Sequence, residues 1–241
     1  MNRERFELVR PLSLAKRYPM NSHQAQFGSG LTGVVRRAMP SDLPGIVTIH
    51  QEAFSHFFLT RLGSEFLRRY YAFVFNYRAG IVLVSERRGV LEGFACGFMD
   101  PAEFYGLMWR SRRTFAWTAL SALVRHPSLA SNVLDGVQRI QASASKGSPH
   151  SCELSSIAVA PGAGGVGLGG VLMRAFLAQA WSMNAHCVYL TTDADGNEPA
   201  NTFYRNAGFQ YTRRFRQRKG RWMNEYVISR LGPDDTRGMC L

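Results

Sequence analysis

Long apolar runs are missing from this chain of 241 residues. No stretch approaches the roughly 18 consecutive apolar residues a membrane span needs, and residues 1–30 hold no apolar signal-peptide core. A cytoplasmic location is the expectation, with peripheral contact at a membrane left open. Cysteine is scarce and scattered. Cys96, Cys152, Cys187 and Cys240 form no CxxC pair, and the histidines make no HxH or HExxH pattern, so neither a structural zinc nor a disulfide framework is expected. Acidic residues are also few, 17 Asp+Glu against 29 Lys+Arg, which leaves a formal net charge of +12. Such a field attracts polyanions: nucleic acid, anionic lipid head groups or phosphate-rich cofactors. Nucleic acid is the least expected of these, because no aromatic-interleaved platform or groove-reading helix accompanies the charge. What is present in quantity is apolar side chain. At 46% hydrophobic residues the chain can bury a substantial core, which excludes wholesale disorder and coiled-coil or collagen-like architectures.

Residues 1–33 mix Arg3, Arg5, Arg10, Lys16 and Arg17 with Pro11, Pro19 and a Gly/Ser/Gln-rich patch, and read as a disordered N-terminal tail. Order begins with a strand over 34–38. Ser41 and Asp42 offer N-caps for a helix carrying Ile46, Val47, Ile49 and Phe54. A second helix from about Ser64 repeats Phe66, Leu67, Tyr70, Tyr71, Val74 and Phe75 at helical spacing. Residues 81–86 and 91–98 flank the polar turn Arg87-Arg88-Gly89 as an antiparallel hairpin. Residues 100–148 then hold two helical candidates, near 103–125 and 128–143, divided at His126-Pro127. The first carries Arg110, Arg112 and Arg113 ahead of an apolar run from Phe115 to Val124. That run is too short to cross a bilayer, so core or lid packing, interfacial membrane contact and a protein partner are its open readings.

The last third carries the chemistry. Residues 152–159 read as a strand, 161–170 as a glycine-dense loop, 171–183 as a helix and 188–192 as a buried strand. A short helix over 199–206 stops at Gly208, and 209–215 with 223–229 make a closing hairpin, after which 232–241 form a tail. Gly162, Gly164, Gly165, Gly167, Gly169 and Gly170 stand between one strand and one helix. Without Cβ atoms the backbone N–H groups approach a phosphate closely, and the helix start adds its positive dipole end. Two registers compete. Residues 162–167 satisfy GxGxxG, with Asp193 placed where a dinucleotide site carries its ribose-binding acid. After Asp193, however, come only one short helix and a hairpin, too little chain for the remaining parallel strands of that fold.

The other register runs Ile157-Ala158-Val159-Ala160-Pro161, then Gly164, Gly167, Gly169 and Leu172, and later Asn197, Ala200, Tyr204, Gly208 and Phe209. Residues 153–209 in this register resemble the GNAT superfamily of acyl-CoA-dependent N-acyltransferases. That superfamily shows a strand ending in V-x-P, an (R/Q)-x-x-G-x-(G/A) loop and an N-x-x-A-x-x-x-Y-x-x-x-G-F segment. With the amino-terminal elements the similarity spans roughly 34–230. It implies an α/β (α+β, mixed-sheet) domain over 34–231 with a helical insertion between the third and fourth strands. It also implies an N-acetyltransferase that moves an acetyl group from acetyl-CoA to a primary amine by direct attack, with no metal. Ile157, Val159, Gly164, Gly165, Gly167, Leu168, Gly169, Gly170, Asn197 and Tyr204 then lie on the cofactor side. Tyr204 is also the general acid for the leaving thiolate, Glu153 the general base, and a backbone N–H of 157–159 the oxyanion donor.

Read as residues alone, Glu153 is also a solvated strand-edge carboxylate, Tyr204 a packed aromatic, Asn197 a helix cap and Phe203 core. Gly164 stands where the superfamily carries Arg or Gln, so a non-catalytic acyl-CoA-binding or membrane-surface module is the alternative. The acceptor amine is not legible. Arg213, Arg214, Arg216, Arg218, Lys219 and Arg221 crowd the last hairpin. They suit a CoA phosphate, a phosphorylated acceptor such as a nucleotide-linked amino sugar, an anionic membrane surface, or plain solvation. Asp193 and Asp195 read as turn residues and not as a metal pair.

Overall fold

The computed structural model describes residues 33–55, 57–116, 150–217 and 220–230. Both tails, the second insertion helix near 128–143, most of the apolar run 115–124, and Arg218 with Lys219 lie outside the described residues. Strands β1 (Val34–Arg37), β2 (Gly80–Arg87), β3 (Val90–Met99), β4 (Ser151–Val159), β5 (Cys187–Asp193), β6 (Gln210–Arg216) and β7 (Trp222–Ser229) form one sheet in the order β1-β2-β3-β4-β5-β7-β6. Among these strands only β4 and β5 pair in parallel; every other neighbour is antiparallel. This is the mixed sheet expected from the sequence and not the doubly wound parallel sheet of a dinucleotide fold.

Helices α1 (Leu43–Ala53), α2 (Phe58–Arg61), α3 (Ser64–Asn76), α4 (Pro101–Arg110), α5 (Leu168–Ser182) and α6 (Glu198–Asn206) complete the described residues. The sheet is covered on both faces, and the alternation of side chains along each strand divides the core accordingly. In β2, Ile81 and Leu83 meet Leu172 and Phe176 of α5, whereas Val82 and Val84 meet Ile46 of α1 and Leu67, Tyr71 and Val74 of α3. Phe104 of α4 stacks on Phe98 of β3 at 3.6 Å between ring centroids, which ties the insertion's first helix to the second layer. Gly97 makes the central packing feasible. A Cβ there would lie 2.1 Å from the Glu153 carbonyl oxygen and 2.6 Å from the Phe176 ring.

Three local expectations are corrected. Asp42 does not cap α1: its carboxylate accepts from the Arg36 guanidinium at 2.7 and 3.0 Å and from the Met39 N–H at 2.6 Å. That ion pair holds the Asp42 carboxyl below its ordinary range. The helix expected over 103–125 begins at Pro101 and is broken by a turn at Ser111. The helix expected from Val171 begins three residues earlier, at Leu168, because that side chain is 2% exposed and draws the glycine-rich stretch into the first helical turn.

Candidate active site

β4 keeps its antiparallel register with β3 as far as Val159 but pairs with β5 only at Ser151–Cys187, Cys152–Val188 and Glu153–Tyr189. β5 meanwhile stays paired to β7 through Asp193. From Leu154 onward the two parallel strands therefore part, and the β4 amides and carbonyls on that side are left for another extended chain to bond. Ile157 and Val159 sit on this edge. Within the same stretch the β3 register shifts between Cys96 and Gly97, so that Ser155 bulges opposite no β3 residue. Tyr70 of α3 holds the bulge by bonding the Ser155 hydroxyl, while its neighbour Tyr71 turns its hydroxyl to His50 of α1.

The strand runs into the glycine loop, which encloses a cleft of about 270 Å³. Gly164, Gly165, Gly167, Leu168, Gly169 and Gly170 all line it together with Val159, so the expected loop residues are brought to one place. Gly165 (φ 83°) and Gly167 (φ 77°) turn the chain through the left-handed region, and nothing lies within 4 Å of where a Cβ would stand on either. Gly167 is the residue before α5, and no side chain caps that helix. The Leu168, Gly169 and Gly170 N–H groups precede the first intrahelical bond, from Val171 N–H to the Gly167 carbonyl, so they have no helical acceptor, and all three residues line the cleft. These amides, a helix dipole and the absence of side-chain bulk are a donor set suited to a diphosphate. Ala163 and Phe203 also line the cleft, and both escaped sequence reasoning. Phe203, read as core, lies 3.4 Å from the Cβ position of Gly169.

Tyr204 follows Phe203 on α6 and is half-buried against Phe209 and Tyr226. Burial pushes its phenol up to about 12. Asn197 precedes α6, but its side chain neither caps the helix nor lines the cleft. Its Nδ2 donates to Thr192 Oγ1 at 2.8 Å, and its carbonyl accepts the Asn201 N–H at 3.0 Å. Asn201, unremarked in the sequence, is buried and fully used: its amide donates to the Asp193 carbonyl and its oxygen accepts from Tyr226 and Asn224.

Glu153 stands on the last paired rung before the strands part. The solvated-edge reading fails, because the residue is 7% exposed. Its Oε1 accepts from the Tyr105 hydroxyl and its Oε2 from the Tyr189 hydroxyl, each at 2.8 Å. Neither tyrosine was singled out by its sequence position.

On the closing hairpin much of the positive charge is already matched. Arg213 pairs with Glu225 at 2.9 Å and Arg214 with Asp195 at 2.7 Å, while Arg221 pairs with Asp193. Asp193 and Asp195, read as turn residues, are thus ion-pair partners. Among the described residues no group of three His, Cys, Asp or Glu is placed to hold a metal, and no helix is long and apolar enough to cross a membrane.

The sequence profile of the Acetyltransferase (GNAT) family matches residues 43–209. Solved structures share the fold at low identity. A ribosomal-protein-alanine N-acetyltransferase from Brucella melitensis is 20% identical with a TM-score of 0.54, over 81% of this chain and 99% of that one. The yncA protein of Salmonella typhimurium, solved with its cofactor acetyl-CoA, is 16% identical with a TM-score of 0.53, over 88% and 100%. A polyamine N-acetyltransferase from Drosophila melanogaster is 14% identical with a TM-score of 0.52, over 81% and 99%. No curated protein sequence matches the chain.

Proposed function

This chain belongs to the GNAT family of acetyltransferases, and from that membership we propose that it transfers the acetyl group of acetyl-CoA to a primary amine. The carrying observation is the continuity of two features: the free β4 edge after Glu153 leads directly into a cradle of helix-start amides at 167–170. The Leu168, Gly169 and Gly170 N–H groups hold the diphosphate. Gly164 and Gly165 keep the approach clear, and the Ile157 and Val159 backbone bonds the pantetheine arm. When bound, the thioester supplies an activated acyl carbon and a thiolate leaving group.

The remaining work falls to side chains. An alkylammonium of pKa about 10 has no lone pair to attack with, so the amine must lose a proton, and Glu153 accepts it. Tyr204 keeps its phenolic proton through the neutral range as any phenol does, and burial raises it further, to about 12. It therefore serves as the donor toward sulfur as charge builds there. Asn197 acts by fixing the start of α6 to Thr192 of β5, which keeps Tyr204 in place. A nucleotide-linked amino sugar finds less on the hairpin than the arginine count promises, since Arg213, Arg214 and Arg221 are already ion-paired.

Release of free CoA with a panel of primary amines tests the reading. Turnover with at least one of them is expected. Tight acetyl-CoA binding without turnover on any amine would make the chain a binding module, the outcome to which the missing Arg or Gln at Gly164 points.

A further inference from the structure

We propose that Tyr105 and Tyr189 are positioning residues for Glu153, so that the helix opening the insertion between β3 and β4 serves the acceptor side of the reaction. The inference rests on the reading of Glu153 as general base. Glu153 is flanked in the sheet by Phe98 on β3 and Tyr189 on β5, each directly opposite it in register. A carboxylate buried there exchanges water for protein. Such a group needs hydrogen-bond donors in place of the water it loses. The two phenol O–H donors at 2.8 Å, one on each oxygen, supply them and set the carboxylate's orientation.

Both donors are fixed from different directions. Tyr189 is held by β5 on the last rung before the split. Tyr105 is carried by α4, whose Phe104 stacks flat on Phe98 while the Tyr105 ring meets the edge of the same Phe98 at 5.5 Å. The carboxylate can therefore neither rotate nor withdraw from the point where β4 leaves β5. Among the described residues, ionisable groups on the surrounding elements include Cys152, its neighbour on β4, Asp100 at the start of α4, and Tyr70 of α3, whose hydroxyl bonds Ser155 two residues along.

The test uses Tyr105→Phe, Tyr189→Phe and Glu153→Gln in the full chain, with two readouts. The first is the pH dependence of kcat/KM with acetyl-CoA and the best amine of the panel. The second is a carbon-13 NMR titration of glutamate-labelled protein without substrates, the Glu153 carboxyl signal being assigned by its loss in Glu153→Gln. Loss of one phenol donor removes a bond made to the carboxylate form, so each Tyr→Phe variant should move the acid limb and the NMR midpoint upward. At a pH below that limb the variants then run roughly three- to tenfold slower than the parent chain, with the KM for acetyl-CoA unchanged. The two variants remove donors on separate elements, so one that fails to fold leaves the other to decide. If neither midpoint moves in a folded variant, the clamp is overturned. If the NMR midpoint moves but Glu153→Gln retains both the acid limb and the rate, the base reading falls instead, and the catalytic purpose of the clamp falls with it.

Discussion

Removing one oxygen from Tyr204 separates the proton donor from the packed ring. Tyr204→Phe keeps the contacts to Phe209 and Tyr226 and deletes only the phenol hydroxyl. Loss of a positioned general acid costs on the order of a hundredfold in rate. The variant should therefore show that loss in kcat with acetyl-CoA affinity unchanged, as measured by steady-state kinetics beside calorimetric titration. An unchanged kcat would remove Tyr204 from the chemistry. This residue was legible as a candidate through the GNAT resemblance, in whose N-x-x-A-x-x-x-Y-x-x-x-G-F pattern it stands at the tyrosine position before Gly208 and Phe209. Glu153 was legible as a candidate for the same reason, aligned by that resemblance and the one acid on its strand. What surrounds Glu153 was not. Tyr105 and Tyr189 lie 48 and 36 residues away in the chain, and no periodicity along either segment says that three side chains from three elements converge on one rung of the sheet. Phe203, read as core, does pack against the core, and its second use as a wall of the cleft was not legible, since an aromatic ring against a glycine turn serves either purpose depending on which side stays open.

Single elements carry the next level of the argument, and α5 is the clearest. Its start depends on Gly167 at φ 77°, a conformation costly for a β-branched side chain. Gly167→Val should therefore misplace the first-turn amides and weaken acetyl-CoA binding at least tenfold in calorimetric titration. Gly162→Ala, at a position that has no left-handed φ, meets nothing within 4 Å and lies off the cleft, should bind as the parent chain does. Equal losses in both would mean that the loop's overall glycine content matters and not the aim of the amides. In β4 the bulge at Ser155 and the parting from β5 were invisible beforehand, because both arise from pairing with neighbours and not from the strand's own composition. The strand itself, and the hairpin of β2 and β3, were plain from β-branched and aromatic runs bounded by turns. Gly97→Ala probes how tightly the elements fit. The new methyl would meet the Glu153 carbonyl at 2.1 Å, and overpacking against backbone of this kind costs about 1–3 kcal/mol, read as a lower urea midpoint.

For the whole molecule, the mixed sheet was readable because two motifs stood at the right separation, while the use made of buried polar groups by the core was not. His50 lies between α1 and the sheet at 3% exposure, with Nδ1 2.6 Å from the Tyr71 hydroxyl and Nε2 bonded to nothing among the described residues. Burial pushes its imidazole down from 6.5 to about 4. A base whose folded-state value is depressed is protonated first in the unfolded chain. Its contribution to stability is therefore complete above pH 6.5 and is lost as the pH falls toward 4. Between pH 7 and 5 this linkage amounts to about 2 kcal/mol. Asp42 acts in a separate, lower window. Its carboxyl is depressed below 3.8 by Arg36, so that ion pair is intact above this value and is lost only as the pH falls further. Urea unfolding at pH 7 and pH 5 should thus show a marked drop in stability for the parent chain. His50→Gln keeps a polar group toward Tyr71 but cannot take up a proton, and its stability should change much less over the same interval. The slope against pH is the deciding quantity, because the substitution also alters packing and hence absolute stability. A variant whose stability falls as steeply as the parent's would show that the acid sensitivity originates outside this buried imidazole, in the general repulsion of a chain carrying a net charge of +12.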